Sequence, residues 1–219
     1  MYQLIAVDMD GTLLSEDKTI SQRTLKTIEA LKGKGKKLVL ATGRPLSGIR
    51  RYIEELDLLD DQDYVVTYNG ALVQRTKDAK VLLDKPLSVD AFVELYALSQ
   101  SMGVHIHALT ENSVLTPCLN PYTDIEASIN HIPAIQIPVH EVAKDTMIVK
   151  VMFVDAPEVL DAVLPLLPEW VKSRYTILRS APIFLEFLDP SVNKGVGVQA
   201  VTDALGLKQS QVICVGDAH

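Results

Sequence analysis

Asp8 and Asp10, one residue apart, close a short apolar run and are followed by Gly11 and Thr12. A carboxylate at the mouth of a buried strand can attack phosphorus and form an acyl phosphate, splitting one hard displacement into two easier ones. Its charge repels a phosphate dianion, so this chemistry calls for Mg2+ between them, held by oxygen ligands such as Asp8 and Asp217. The phosphate oxygens then need donors, and the chain offers backbone N–H groups from Met9 onward, the Thr42 hydroxyl, the Gly43 N–H and the Lys194 ammonium. Asp10, two residues beyond Asp8, is placed to protonate a leaving alkoxide and later to deprotonate a water. Gly11 lets the chain turn tightly beside the ligand.

These residues are scattered over the chain, so parallel strands must carry them to one edge. Gln3 to Val7 reads as a buried strand entering the Asp8–Thr12 loop. Ser21 caps a helix with Leu25, Ile28 and Leu31 on one side, ended by Gly33 and Gly35. Lys37 to Ala41 is a second strand, followed by Thr42-Gly43-Arg44-Pro45 and a helix carrying Ile49, Ile53 and Leu56. Tyr64 to Tyr68 is a third strand, stopped by Asn69-Gly70. Strand alternating with helix implies a parallel sheet with right-handed crossovers, whose ligand loops lie at the carboxyl ends of the strands.

Near Leu83 the pattern changes. Helices are expected over Asp90 to Met102, Tyr122 to Asn130 and Pro157 to Leu167, and strands over Val104 to Leu109, Met147 to Val154 and Phe184 to Leu188. Strands without helices between them suggest a mostly antiparallel α+β unit. After Asp189-Pro190 the first pattern returns, with a helix from Lys194 to Leu205 and a strand from Val212 to Val215 entering Gly216-Asp217. The expected architecture is α/β: a Rossmann-like parallel-sheet core from residues 1–83 and 189–219, with an inserted α+β cap over residues 84–188.

The totals narrow the function. Hydrophobic residues at 47% and charged residues at 22% give an ordinary globular chain with material for a core,. A net charge of −7 argues against nucleic acid as a partner,. Apolar runs fall short of the ~20 residues a membrane span needs and no basic leader precedes Asp8, so a cytoplasmic protein without a membrane partner is expected. Cys118 and Cys214, far apart, read as unpaired thiols of a reducing compartment.

The motifs Asp8-Met9-Asp10-Gly11-Thr12, Ala41-Thr42-Gly43-Arg44, Asn193-Lys194-Gly195 and Val215-Gly216-Asp217 resemble, in order, the four motifs of the haloacid dehalogenase superfamily. With the insertion and Tyr68-Asn69-Gly70-Ala71, the chain is similar to the Cof-type branch of sugar-phosphate phosphatases. The resemblance implies Mg2+-dependent hydrolysis of small phosphate monoesters, with Asp8 as nucleophile, Asp10 as general acid/base, and Thr42 and Lys194 binding phosphate. It also implies metal held by Asp8, the Asp10 backbone carbonyl and Asp217, and small phosphorylated metabolites as partners.

The family's fourth motif continues Gly-Asp-x-x-Asn-Asp, whereas this sequence ends at Ala218-His219. A truncated gene product is therefore expected, with an incomplete sheet edge that favours self-association. The alternative function is a catalytically impaired fragment that at most binds a phosphorylated ligand. Arg44 reads either as a cap at the start of the following helix or as a substrate contact. Asn69 reads as support for its turn or as a substrate contact. His105 and His107 share one face of a strand without a third metal ligand nearby, so lid-surface or substrate-contact roles come ahead of zinc. Glu186, inside an apolar strand, needs a partner or faces the cleft.

Overall fold

The computed structural model describes residues 1–216. Residue contacts divide the chain into two units, Met1–Asp84 with the chain from Asn193 onward, and Lys85–Val192. The second junction falls four residues beyond the one expected from sequence. Val192 is buried and Thr176 Oγ1 donates to the Pro190 carbonyl at 3.3 Å, which fastens residues 189–192 to the inserted unit.

The first unit contains β1 (Leu4–Asp8), α1 (Gln22–Lys32), β2 (Lys37–Ala41), α2 (Arg50–Glu55), β3 (Tyr64–Thr67), β4 (Leu72–Arg75) and β5 (Val81–Asp84). The second contributes α3 (Val89–Met102), β6 (His105–Leu109), β7 (Val114–Thr116), α4 (Pro121–Asn130), β8 (Ala134–Gln136), β9 (Lys150–Val154), α5 (Pro157–Val163), α6 (Glu169–Arg174), β10 (Thr176–Ala181) and β11 (Phe184–Leu188). The chain then returns to the first unit with α7 (Lys194–Ala204) and β12 (Val212–Val215).

The first sheet runs β12-β1-β2-β3-β4-β5. Its first four strands are parallel, and β4 and β5 are added antiparallel as a meander from β3. Parallel strands covered on both faces are apolar throughout rather than alternating, and β2 shows why. Leu38 and Leu40 join Ile28, Ile49, Tyr52 and Ile53 on one side, while Val39 and Ala41 join Val198 and Val201 of α7 on the other. The hairpin β4–β5 escapes the sequence reading because its strands are only four residues each, too short for a clear period.

The second sheet runs β10-β11-β9-β6-β7-β8, antiparallel except for β7 with β8. One face carries Ile106, Val151, Phe153, Leu185 and Phe187 into a core with Phe92 and Leu95 of α3, Leu160 of α5 and Val171 of α6. The expected helix Pro157–Leu167 is broken: α5 ends at Val163 and residues 164–166 tighten into a 3-10 turn around Pro165, which has no N–H for a helical bond,. Among the described residues no helix is long and apolar enough to cross a membrane.

Candidate active site

The register of the parallel strands gathers the chemistry. Asp8 closes β1 opposite Ala41, the last residue of β2, so Thr42 begins the neighbouring loop at the same edge. On the other side Val7 pairs with Val215, and a Cβ added at Gly216 would stand 3.5 Å from the Asp8 Cβ. Strands running the same way deliver their carboxyl ends to one line, so residues nearly two hundred positions apart become neighbours.

Lys194 reaches that line from α7. Asn193 caps the helix, its side chain accepting from Val196 N at 2.9 Å, and Lys194 opens it. The Lys194 Nζ donates to Asp8 Oδ1 at 2.7 Å, with the Asp8 side chain only 12% exposed. The turn Tyr68–Gly70 sets the position of this helix start. Gly70 has φ +104, and a Cβ there would press on the Asn193 carbonyl closer than real Cβ atoms come.

Thr42 is buried, its N–H donating to the Val66 carbonyl at 2.9 Å and its Oγ1 accepting from Arg44 N at 3.2 Å. Asn69 adopts φ 59 and donates its N–H to the Thr42 carbonyl at 2.9 Å. Its side chain lies 3.1 Å from where a Cβ of Gly43 would stand. Asn69 thus props the 42–44 loop, a role that neither of its two sequence readings named. Met9 is fully buried between the two aspartates and anchors the loop from the core.

Asp10 lies in the turn after β1 and is 41% exposed at its side chain. Arg44 grips it with two bonds, Nη2 to Oδ1 at 2.6 Å and Nε to Oδ2 at 2.8 Å. Lys18 adds a third, Nζ to Oδ1 at 2.8 Å. Burial works to raise the proton affinity of Asp10, but the hydrogen bonds and charges of Arg44 and Lys18 outweigh it and hold the carboxyl below the usual range. Conversely, burial lowers the proton affinity of Arg44 while Asp10 more than restores it. The Arg44 side chain thus pairs with the second aspartate and does not cap the next helix. Lys18 had no readable signal, because Ser15–Thr19 is a polar stretch that looks like a solvated turn.

Asp217, the expected third metal ligand, lies outside the described residues. Among the described residues no three His, Cys, Asp or Glu side chains group as a metal-holding cluster. His107 is fully buried, bonded to Thr123 Oγ1 at 3.1 Å and to Met152 Sδ at 3.3 Å, which removes it from any surface or substrate role. His105 is exposed and pairs with Asp155 at 2.8 Å. Glu186 finds its partner in Lys150.

A mostly parallel α/β sheet, interrupted by an α+β insertion, carries an aspartate–lysine pair at its carboxyl edge, an arrangement suited to phosphoryl transfer,. The chain belongs to the haloacid dehalogenase-like hydrolases, whose family model matches residues 5–219. It is 40% identical to YxeH of Bacillus subtilis (strain 168), provisionally named a phosphatase, over 99% of this chain and 81% of that protein. It is 27% identical to the 5-amino-6-(5-phospho-D-ribitylamino)uracil phosphatase YitU of the same organism, over 98% of this chain and 79% of that protein. The crystal structure of a haloacid dehalogenase-like hydrolase from Bacteroides thetaiotaomicron matches with a TM-score of 0.84 at 25% identity, covering 99% of this chain and 82% of that one.

Proposed function

We propose that the chain hydrolyses small phosphate monoesters through a phosphoryl group held transiently on Asp8. The single observation that carries the reading is the Lys194 ammonium on Asp8 Oδ1 at 2.7 Å, beside the Thr42 loop and the Asp10 turn. A cation placed on a largely buried carboxylate balances its charge and offers donors to an incoming phosphate,.

In the first step an Asp8 carboxylate oxygen forms a bond to phosphorus and the bond from phosphorus to the leaving oxygen breaks, with Asp10 giving its proton to that oxygen. In the second step Asp10 takes a proton from water as the water oxygen bonds to phosphorus and the Asp8–phosphorus bond breaks, releasing inorganic phosphate. The N–H groups from Met9 onward, the Thr42 hydroxyl, the Gly43 N–H and Lys194 hold the phosphate oxygens. With Arg44 and Lys18 bonded to it Asp10 is ionised, the form the second step needs. The dianionic phosphate arriving beside it favours the protonated form needed for the first.

The oxygens that the family resemblance assigns to the metal, the Asp8 carboxylate and the main-chain carbonyl of Asp10, suit a hard divalent cation, and the sequence motif offers Asp217, outside the described residues, as a third ligand. When bound there, Mg2+ supplies the charge that lets a carboxylate approach a phosphate dianion. The substrate is a small phosphorylated metabolite, in keeping with the phosphate monoester named for YitU. The test is turnover of p-nitrophenyl phosphate with Mg2+, which Asp8→Asn should abolish. Turnover surviving that substitution rules out the covalent route.

A further inference from the structure

The turn Ser15–Thr19 holds one lysine against Asp10. Ser15 N donates to the Thr19 carbonyl at 3.0 Å and Lys18 N to the Ser15 carbonyl at 2.9 Å. Asp17 Oδ1 accepts from Ser15 Oγ, Thr19 Oγ1 and Thr19 N at 2.6, 2.8 and 3.2 Å. At the tip Lys18 has φ 60, a left-handed conformation uncommon for lysine,. The turn is anchored from the core. The buried Tyr52 hydroxyl and Arg51 Nη2 donate to the Lys18 carbonyl at 2.9 and 3.0 Å.

The Lys18–Asp10 pair is half exposed on both sides, 50% and 41%, and such pairs contribute little to stability,. What the contact does bear on is the orientation of Asp10. Oδ1 is occupied by Lys18 and Arg44 Nη2, whereas Oδ2 receives a single bond, from Arg44 Nε, among the described residues. The carboxylate is thereby fixed in one orientation, with the spare lone pair on Oδ2.

We propose that Lys18 is a positioning residue, held by Tyr52 and Arg51, that fixes the Asp10 carboxylate so that Oδ2 is the oxygen that exchanges the proton with the leaving group and with water. This rests on the acid/base reading of Asp10. A misaligned proton donor matters most when the leaving oxygen is basic, since an alkoxide cannot depart without a proton while p-nitrophenolate can.

The experiment compares kcat/KM for an alkyl phosphate that the wild type hydrolyses and for p-nitrophenyl phosphate, together with Tm. Lys18→Met should lose about 10-fold on the alkyl ester, a fraction of what general acid–base catalysis supplies. It should stay near wild type on the aryl ester and in Tm. Lys18→Gly, which relieves the left-handed backbone, should keep or raise Tm while losing the same alkyl activity. Tyr52→Phe should reproduce a smaller part of the loss, and unchanged kinetics there would overturn the anchoring role of Tyr52. Asp10→Asn separates the two ideas. If it shows the leaving-group dependence and Lys18→Met does not, the positioning role fails alone. If Asp10→Asn loses equally on both esters, the acid/base reading of Asp10 fails with it.

Discussion

Lys150 offers a sharp test of how charge is held inside the Lys85–Val192 unit. Its side chain is 4% exposed, and its Nζ lies 2.7 Å from Glu186 Oε1 and 3.3 Å from Glu126 Oε1, both carboxylates equally enclosed. Burial pulls the proton affinity of Lys150 down, but the two glutamates overcome this and push it well above the usual lysine range. Lys150→Met keeps the length of the side chain and removes the cation, leaving two carboxylates in a site that water does not reach. Removing one partner of a buried pair costs about 3–5 kcal/mol. At about 4 °C per kcal/mol for a unit of this size, Tm should fall by roughly 12–20 °C. Trp170, the one tryptophan of the chain, lies in this unit against its core, so its fluorescence follows the relevant transition in heat or urea. The triple replacement of Lys150, Glu126 and Glu186 by Met should recover most of the loss, because no uncompensated charge remains. A loss under about 1 kcal/mol for Lys150→Met would refute the reasoning, since that is the scale of a solvated pair.

Other outcomes follow from the same structure. His107 is pushed down to about 3, first by burial and then by the Lys150 charge, so it stays neutral when folded. Between about pH 6.5 and 3 the unfolded chain binds a proton that the folded chain refuses, so stability falls as pH falls through that window. The loss should be about 2 kcal/mol from pH 7.5 to 5, and His107→Gln should remove most of it. An identical acid slope in the variant would place the titration elsewhere. Gly70→Ala puts a Cβ on the Asn193 main chain at a φ that alanine resists. It should cost about 2 kcal/mol or more and lower phosphatase activity by shifting Lys194; wild-type Tm and turnover would contradict the close approach.

Much of the first unit was legible in the chain because its signals are local. Apolar runs of five residues ending in Asp8-Met9-Asp10 or Thr42-Gly43 read as buried strands with loops at their ends, and Ser21 read as a cap. The β4–β5 hairpin, the break at Pro165 and the short strands β7, β8 and β10 were not, because segments of three to six residues carry too little period to outweigh their neighbours,. Residues 189–192 read as the return to the core, but a bond from Thr176 and the burial of Val192 hold them to the inserted unit.

The sequence by itself determined which chemistry was available: two carboxylates, a hydroxyl and an ammonium, each at the end of an element that could present it. Only the tertiary structure decided who holds whom. Arg44 and Lys18 converge on Asp10, Asn69 props Gly43, and Lys150 lies between two glutamates drawn from a helix and another strand. Side-chain pairing across 8 to 186 residues depends on strand register and helix placement. No local run of residues encodes those distances, because they are set by how whole elements pack.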